Sequence, residues 1–367
     1  MTDKLLYQIG LTMINGIGGI LARQLLNAFG DAESVFKEKR KSLERVPGIG
    51  ALLAEEIKRP EVLQRAEKEI SFMEKAQITP LLLEDRDYPE RLKECPDAPL
   101  VLYYKGKANL NVPHVLSIVG TRHATPYGQE SVEHLLEGLQ SFYPDILIIS
   151  GLAYGIDIKA HRSALACHFP TVGVLAHGLD RIYPSVHRQT AVSMLEEGGL
   201  LTDFPSGTEP ERVNFLKRNR IIAGLSDATI VIESARKGGS LVTADIAFSY
   251  NREIFAFPGR NNDLYSAGCN ELIRKNKAGL ITSAEDLIEA LGWQNQIRKT
   301  PKQAELFFDD SPEVQQILGL LQEHKELHIN QLSKYAQTPL PQLSLLLFDL
   351  EMNGRIKTLP GNMYALA

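Results

Sequence analysis

From Val115 onward the chain alternates short, uninterrupted apolar runs with stretches of helical periodicity, and no other feature limits its fold so tightly. The runs are VLSIV, DILIIS, TVGVLA, LLTDF, ATIVIES, EIFAFP and LITS. A strand with one wet face alternates polar and apolar residues, whereas a strand covered on both faces does not. The pattern therefore predicts an α/β architecture: a Rossmann-like, doubly wound, mostly parallel sheet over residues 81–292. In such a sheet every loop leaving the C-terminal end of a strand lies along one edge, where ligands bind.

The flanks read differently. Residues 1–80 carry an internal echo, Ile14-Asn15-Gly16-Ile17-Gly18 and Val46-Pro47-Gly48-Ile49-Gly50, each followed by an apolar helical pattern. Two helix-hairpin-helix units of a SAM-like helical domain fit this echo, with glycines permitting the turns and backbone N–H groups able to face a phosphate. Glu55 and Glu56 follow the second turn and would repel a phosphate, so a structural or docking role is expected there. Residues 293–311 lose periodicity and read as a linker. Residues 312–367 show the order of a winged helix ending in a hairpin with Pro-Gly-Asn at its turn. Its third helix, TPLPQLSLLLFDLEMNG, has two acids and no Lys or Arg, which suits a protein surface or the chain itself better than a duplex groove.

Charge and composition remove several classes. A formal charge of -5 excludes a protein that coats nucleic acid by global attraction, so a polyanion site must be a local patch. Cys95, Cys167 and Cys269 stand far apart, without CxxC or a nearby His at zinc spacing, so no disulfide framework, metal site or cofactor is expected. No apolar run approaches the roughly 20 residues of a bilayer span, and the first residues lack a secretory pattern. The expectation is a cytoplasmic protein without a membrane partner.

The loops predicted along the sheet edge share glycines and cations. They contain Gly120-Thr121-Arg122, Gly151 to Gly155, His177-Gly178, Lys237-Gly238-Gly239-Ser240 and Gly259-Arg260. Glycines let backbone approach a ligand, and helix N-termini present free N–H groups to anions. Neither GxGxxG with its ribose-binding acid nor GxxxxGK[ST] occurs, which speaks against dinucleotide binding and NTP hydrolysis. Cations are instead spread over Arg122, Arg212, Lys217, Arg218, Arg220 and Lys237, more separated anchors than one mononucleotide can engage. Phe215 sits among them, and an aromatic ring beside cations is the pairing that stacks a base while its phosphate is neutralised. The alternatives are a core role for Phe215, and arginines at 218 and 220 that only pair with acids such as Glu233. Asp157 and His161 can share one helix face, although an acid at a helix start is commonly a dipole partner. Asp180 and Tyr183, in HGLDRIYP, read as turn-forming and packing residues.

Six ordered strings, SIVGTRHATPYG, ISGLAYGIDIKAHRSAL, VGVLAHGLDRIYP, FPSGTEP, NFLKRNRIIAGLSDATIVIESARKGGSLVTADIA and FAFPGRNNDLYSAGCNELI, together resemble the DprA family (DNA processing protein A, also called Smf). The resemblance implies a homodimeric, non-enzymatic protein that binds single-stranded DNA, protects incoming strands and loads the RecA recombinase during natural transformation. It also implies DNA contacts by Arg122, by Phe215 and Arg218 to Arg220, and by Lys237, Gly238, Gly239 and Ser240. With the residues chosen on charge and loop position, the candidate DNA-binding set is Gly120, Thr121, Arg122, Arg212, Phe215, Lys217, Arg218, Asn219, Arg220 and Lys237 to Ser240. Two positions depart from the family: Gly238 stands where Ser is common, and Tyr154 where a basic residue is frequent. The rival readings are a nucleotide-processing hydrolase on the same edge, with Asp157 or Glu233 as its acid, and a scaffold whose sheet edge is vestigial.

Overall fold

The computed structural model describes residues 2–293, 311–352, 354–359 and 361–366. The linker expected over residues 293–311 therefore falls almost wholly outside the described residues. Contacts divide the chain into two units, Met1–Gln296 and Ile297–Ala367.

The first unit is built on a nine-stranded sheet. Its strands are β1 (Thr79–Leu82), β2 (Val101–Gly106), β3 (Val115–Val119), β4 (Leu147–Ser150), β5 (Thr171–Val174), β6 (Gly199–Thr202), β7 (Ala228–Val231), β8 (Glu253–Ala256) and β9 (Gly279–Leu280). Their order is β1-β2-β6-β5-β4-β3-β7-β8-β9. The seven apolar runs form β3 to β9, all parallel. Strands β1 and β2 lie outside that pattern and add an antiparallel edge. The chain proceeds from β3 outward to β6, then returns to place β7 on the other side of β3. The crevice between the C-terminal ends of β3 and β7 is thus the topological switch point.

Both faces of this sheet are covered, as uninterrupted apolar strands require. Val115 and Val119 join one cluster with Ile221 and Ile222 of the helix Arg212–Leu225 and Ala244 of the helix Gly239–Ser249. Leu116 and Ile118, pointing the opposite way by the period of a strand, join Leu135 and Leu139 of the helix Pro126–Phe142 and Ala160 of the helix Ile156–Ala166.

The two turns of the N-terminal echo are built alike. Gly16 and Gly48 both adopt positive φ, +89° and +84°, and each turn closes with the same bond, Ile17 N–H to Ile14 O at 3.1 Å and Ile49 N–H to Val46 O at 3.0 Å. A methyl on Gly16 would meet Leu53, and one on Gly48 would meet Leu21, so the two hairpins clasp each other reciprocally. The pair docks on the sheet unit through Gly19, whose missing side chain leaves room for the carbonyls of Asp97 and Ala98. Glu55 and Glu56 are held by Arg40 and Arg59.

The second unit is a winged helix, described by itself. Helices Pro312–His324, Ile329–Tyr335 and Leu340–Met352 accompany β10 (Glu326–His328), β11 (Ile356–Leu359) and β12 (Met363–Leu366), ordered β10-β12-β11 and antiparallel. Its third helix buries Leu343, Leu347 and Leu350 and exposes Leu345, Phe348 and Met352. Apolar and acidic groups thus occupy the outer face that a duplex-reading helix would fill with cations.

The docking of the hairpins gives a direct check. At Gly19 a new Cβ would stand 2.9 Å from the Ala98 carbonyl and 3.0 Å from that of Asp97, so Gly19→Val should destabilise the unit by about 1–3 kcal/mol through overpacking against backbone. At neighbouring Gly18, the N-cap of the helix Gly19–Phe29, a Cβ meets nothing within 4 Å, and Gly18→Ala should cost only the capping difference, under about 1 kcal/mol. Equal effects in a urea titration would contradict the docking.

Candidate nucleic-acid interface

The site is assembled by loops that fit one another closely. Past the ends of β3 and β7 the ladder continues, with Thr121 N–H bonded to Glu233 O at 2.7 Å and Ile232 N–H to Val119 O at 3.1 Å. Glu233 is buried, and its two carboxylate oxygens accept from Thr125 N–H (2.9 Å) and Thr125 Oγ1 (2.6 Å). It therefore pins the start of the helix Pro126–Phe142, and does not pair with Arg218 or Arg220. Gly155 has φ +77°, and a Cβ there would lie 2.2 Å from Thr121 O. That absence brings the loops after β3 and β4 together, closed by Ile156 N–H to Thr121 O at 3.1 Å.

The segment NFLKRNR lies in the helix Arg212–Leu225, and its cations diverge as that helix turns. Arg218 is only 3% exposed; its Nη1 donates to Val174 O, at the end of β5, at 2.7 Å. At Gly151 a Cβ would stand 1.8 Å from Arg218 Nη1 and 2.6 Å from Asp157 Oδ2. Glycine at this position lets the buried cation and the buried carboxylate approach, a use of glycine distinct from ligand access. Burial pulls the Arg218 guanidinium down to about 10, against the stabilising pull of Asp157. Burial likewise raises the Asp157 carboxyl, opposed first by Arg218, then by a backbone hydrogen bond from Ala153 and by Arg122. Asp157 is thus the counter-charge of an internal arginine, beyond the helix-dipole role its position suggests.

Above this pair sits Phe215, half-buried. The guanidinium carbon of Arg122 lies 5.0 Å from its ring centroid and that of Arg218 lies 5.7 Å away. Arg122 is exposed on the loop after β3. A residue from one strand end and two from a distant helix thus meet as cation, ring and cation, within the range of cation–π attraction. Tyr183 adds a second ring at 6.0 Å, a neighbour that local sequence gives no sign of.

The other candidates fall in three groups. Arg212 is exposed one turn before Phe215; Lys237 is exposed on the loop after β7, as is Gly239 at the start of the helix that follows, with nothing within 4 Å of a Cβ at Gly239. Lys217 and Arg220 instead line a cleft between this helix and the N-terminal hairpins; Arg220 donates to Asp203 at 2.7 Å and approaches Asp97 at 3.5 Å. Gly120, Thr121, Gly238, Asn219 and Ser240 are framework: a Cβ on Gly120 would strike Ile156, one on Gly238 would strike Ser234, Asn219 is buried, and Ser240 Oγ donates to Ser234 Oγ at 2.9 Å.

His161 lies beneath this assembly with no solvent exposure. Thr171 Oγ1 donates its one proton to Ile148 O at 2.9 Å, so it accepts from His161 Nδ1, 2.7 Å away. That assigns the proton to Nδ1 and leaves Nε2 bare and without a partner among the described residues. Burial, then the nearby Arg218, drives the imidazole down to about 3. Because the unfolded chain binds a proton near pH 6.5 and the folded one does not until about pH 3, this residue removes stability as pH falls through that window. The slope is at most about 1.4 kcal/mol per pH unit. His161→Gln should flatten the stability profile between pH 6 and 4, whatever its effect at neutral pH; an unchanged slope would contradict the assignment.

A family model described as DNA recombination-mediator protein A matches residues 79–292, a DprA winged helix domain matches 299–362, and a SAM-like helix-hairpin-helix tandem matches 9–59. The chain is similar to Protein Smf of Synechocystis sp., 37% identical over 298 residues that cover 78% of this chain and 72% of that protein. It is 35% identical to Protein Smf of Escherichia coli over 286 residues, 76% of this chain and 75% of that one. Among solved structures it resembles DNA processing protein A of Streptococcus pneumoniae, with a TM-score of 0.63 and 30% identity over 79% of this chain and 98% of that chain. DNA processing protein A of Helicobacter pylori, described for its single-stranded DNA binding mode, aligns with a TM-score of 0.53 and 31% identity over 59% of this chain and 95% of that one. The matched segments account for more than half of the sequence and coincide with its three structural parts, and the chain belongs to the DNA recombination-mediator protein A family, the DprA/Smf proteins.

Proposed function

We propose that this protein binds single-stranded DNA along the C-terminal edge of its sheet, as a binding protein and not as an enzyme. The observation that carries the reading is the meeting of Arg122 and Arg218 at the ring of Phe215. A ring flanked by cations can stack any base while the adjoining phosphate is neutralised. Arg122, Arg212 and Lys237 are the exposed cations for phosphates, joined by the open backbone at Gly239, which starts a helix of 11 residues. Gly120, Thr121, Gly238, Asn219 and Ser240 shape the loops, and Arg218 supports the ring from below. Lys217 and Arg220 face the hairpin cleft, where they would guide the strand or hold the N-terminal module in place. The hydrolase reading has less support, because Glu233 is held by Thr125 and Asp157 is buried facing the Arg218 guanidinium.

The finer role we propose, on the family resemblance, is that of a cytoplasmic homodimer that protects incoming strands and loads RecA during natural transformation. Sedimentation should then show a species of twice the chain's mass. In the presence of single-strand-binding protein, RecA filament assembly on an oligonucleotide should begin sooner when this protein is added. No acceleration at saturating protein would remove the mediator role.

Strand binding itself is tested by anisotropy with a labelled oligothymidine. Affinity should fall steeply with salt, each neutralised phosphate adding about 0.7 to the log–log slope. Arg122→Glu and Lys237→Glu should weaken binding and flatten the slope, while Phe215→Ala should weaken it about tenfold with the slope kept, because stacking releases no counterions. Mononucleotide binding without oligonucleotide binding would overturn the proposal.

A further inference from the structure

Resting on the single-strand reading above, we propose that Tyr183 is a second stacking ring, holding the base next to the one on Phe215. Its side chain is 43% exposed, and its ring centroid lies 6.0 Å from that of Phe215 with the planes inclined by 61°. No single flat base can lie parallel to two rings so inclined. The two rings therefore receive two consecutive bases, and the strand turns between them.

The arrangement is built and not an accident of a loose loop. Residues 177–184, which carry Tyr183, are braced against residues 205–209. Asp180 Oδ1 accepts from Gly207 N–H at 3.0 Å, and Arg181 bonds both Asp180 at 3.0 Å and Glu209 at 2.5 Å. A Cβ on Gly178 would stand 2.5 Å from Pro205 O, so the two loops touch along their backbones. The same brace reaches the other ring, since Asn214 Nδ2, next to Phe215, donates to Glu209 O at 3.0 Å. One short loop thus fixes both aromatic residues, which are far apart in sequence. The ligand class is a run of nucleotides without base preference, because every base offers a π-face.

Three variants test this with labelled oligothymidine, each first shown by circular dichroism to melt as the wild type does. Tyr183→Ala should lower affinity about tenfold, the size of one stacked base, with an unchanged salt slope, and Tyr183→Phe should bind within about twofold of wild type. Tyr183→Trp should bind, and its emission, after subtraction of the signal of Trp293, should be quenched at saturation. Wild-type affinity in Tyr183→Ala, or an emission indifferent to the strand in Tyr183→Trp, overturns the inference. If Phe215→Ala and Arg122→Glu weaken binding while Tyr183→Ala does not, only this inference fails. If none of the three weakens it, the single-strand reading fails with it.

Discussion

A guanidinium buried where the strands end organises this molecule. Arg218 reaches the carbonyl of Val174 at the end of β5, lies against the bare face of Gly151 after β4, and stands under Phe215, with Asp157 as its counter-charge. Burying a cation costs several kcal/mol unless it is paired and hydrogen-bonded. The loops after β4 and β5 and the helix Arg212–Leu225 therefore have one arrangement in which that cost is offset. Phe215, one turn earlier on the same helix, inherits its position from this constraint. The ring's exposed surroundings are then completed by Arg122, from the strand on the far side of β4.

A second set of polar contacts extends this order outward. Glu69, buried in the N-terminal module, accepts from Ser206 N–H at 2.9 Å and pairs with Arg65 at 2.8 Å. Arg220 ties Asp203 to the helix that bears Phe215. Residues 203–209 thus connect the helical hairpins, the HGLDRIYP loop and the aromatic pair. The hairpins act as a buttress within this unit: their reciprocal Gly16–Leu53 and Gly48–Leu21 contacts face each other, and Gly19 faces the 97–98 backbone.

The sheet was legible because strands β3 to β8 are apolar and buried almost throughout, a pattern that suits a sheet covered on both faces, while β9 is a short, exposed edge strand. β1 and β2 escaped because a four-residue helix, Glu90–Lys93, lies between them in place of a full crossover, so the alternation that marks the rest is missing. The edge glycines read from sequence as places where backbone approaches a ligand; in the structure Gly151 and Gly155 instead make room for protein atoms. Among the cations, sequence supplies charge without direction. Each helical residue turns about 100° from the last, so Lys217 and Arg218, adjacent in sequence, face a cleft and the buried interior respectively. Tyr183 carries no local signal at all, because what marks it is its contact with Phe215, which only the folded chain creates.

The central claim is that a single strand lies on the rim where Arg122 and Phe215 meet. Photo-crosslinking of an oligonucleotide carrying 5-iodouracil, followed by mass spectrometry of the adducts, tests it most directly. Adducts should concentrate in the peptide containing Phe215 and in the loops bearing Arg122 and Lys237. Adducts confined to the hairpin turns at Gly16 and Gly48, or to the third helix of the winged domain, would contradict it.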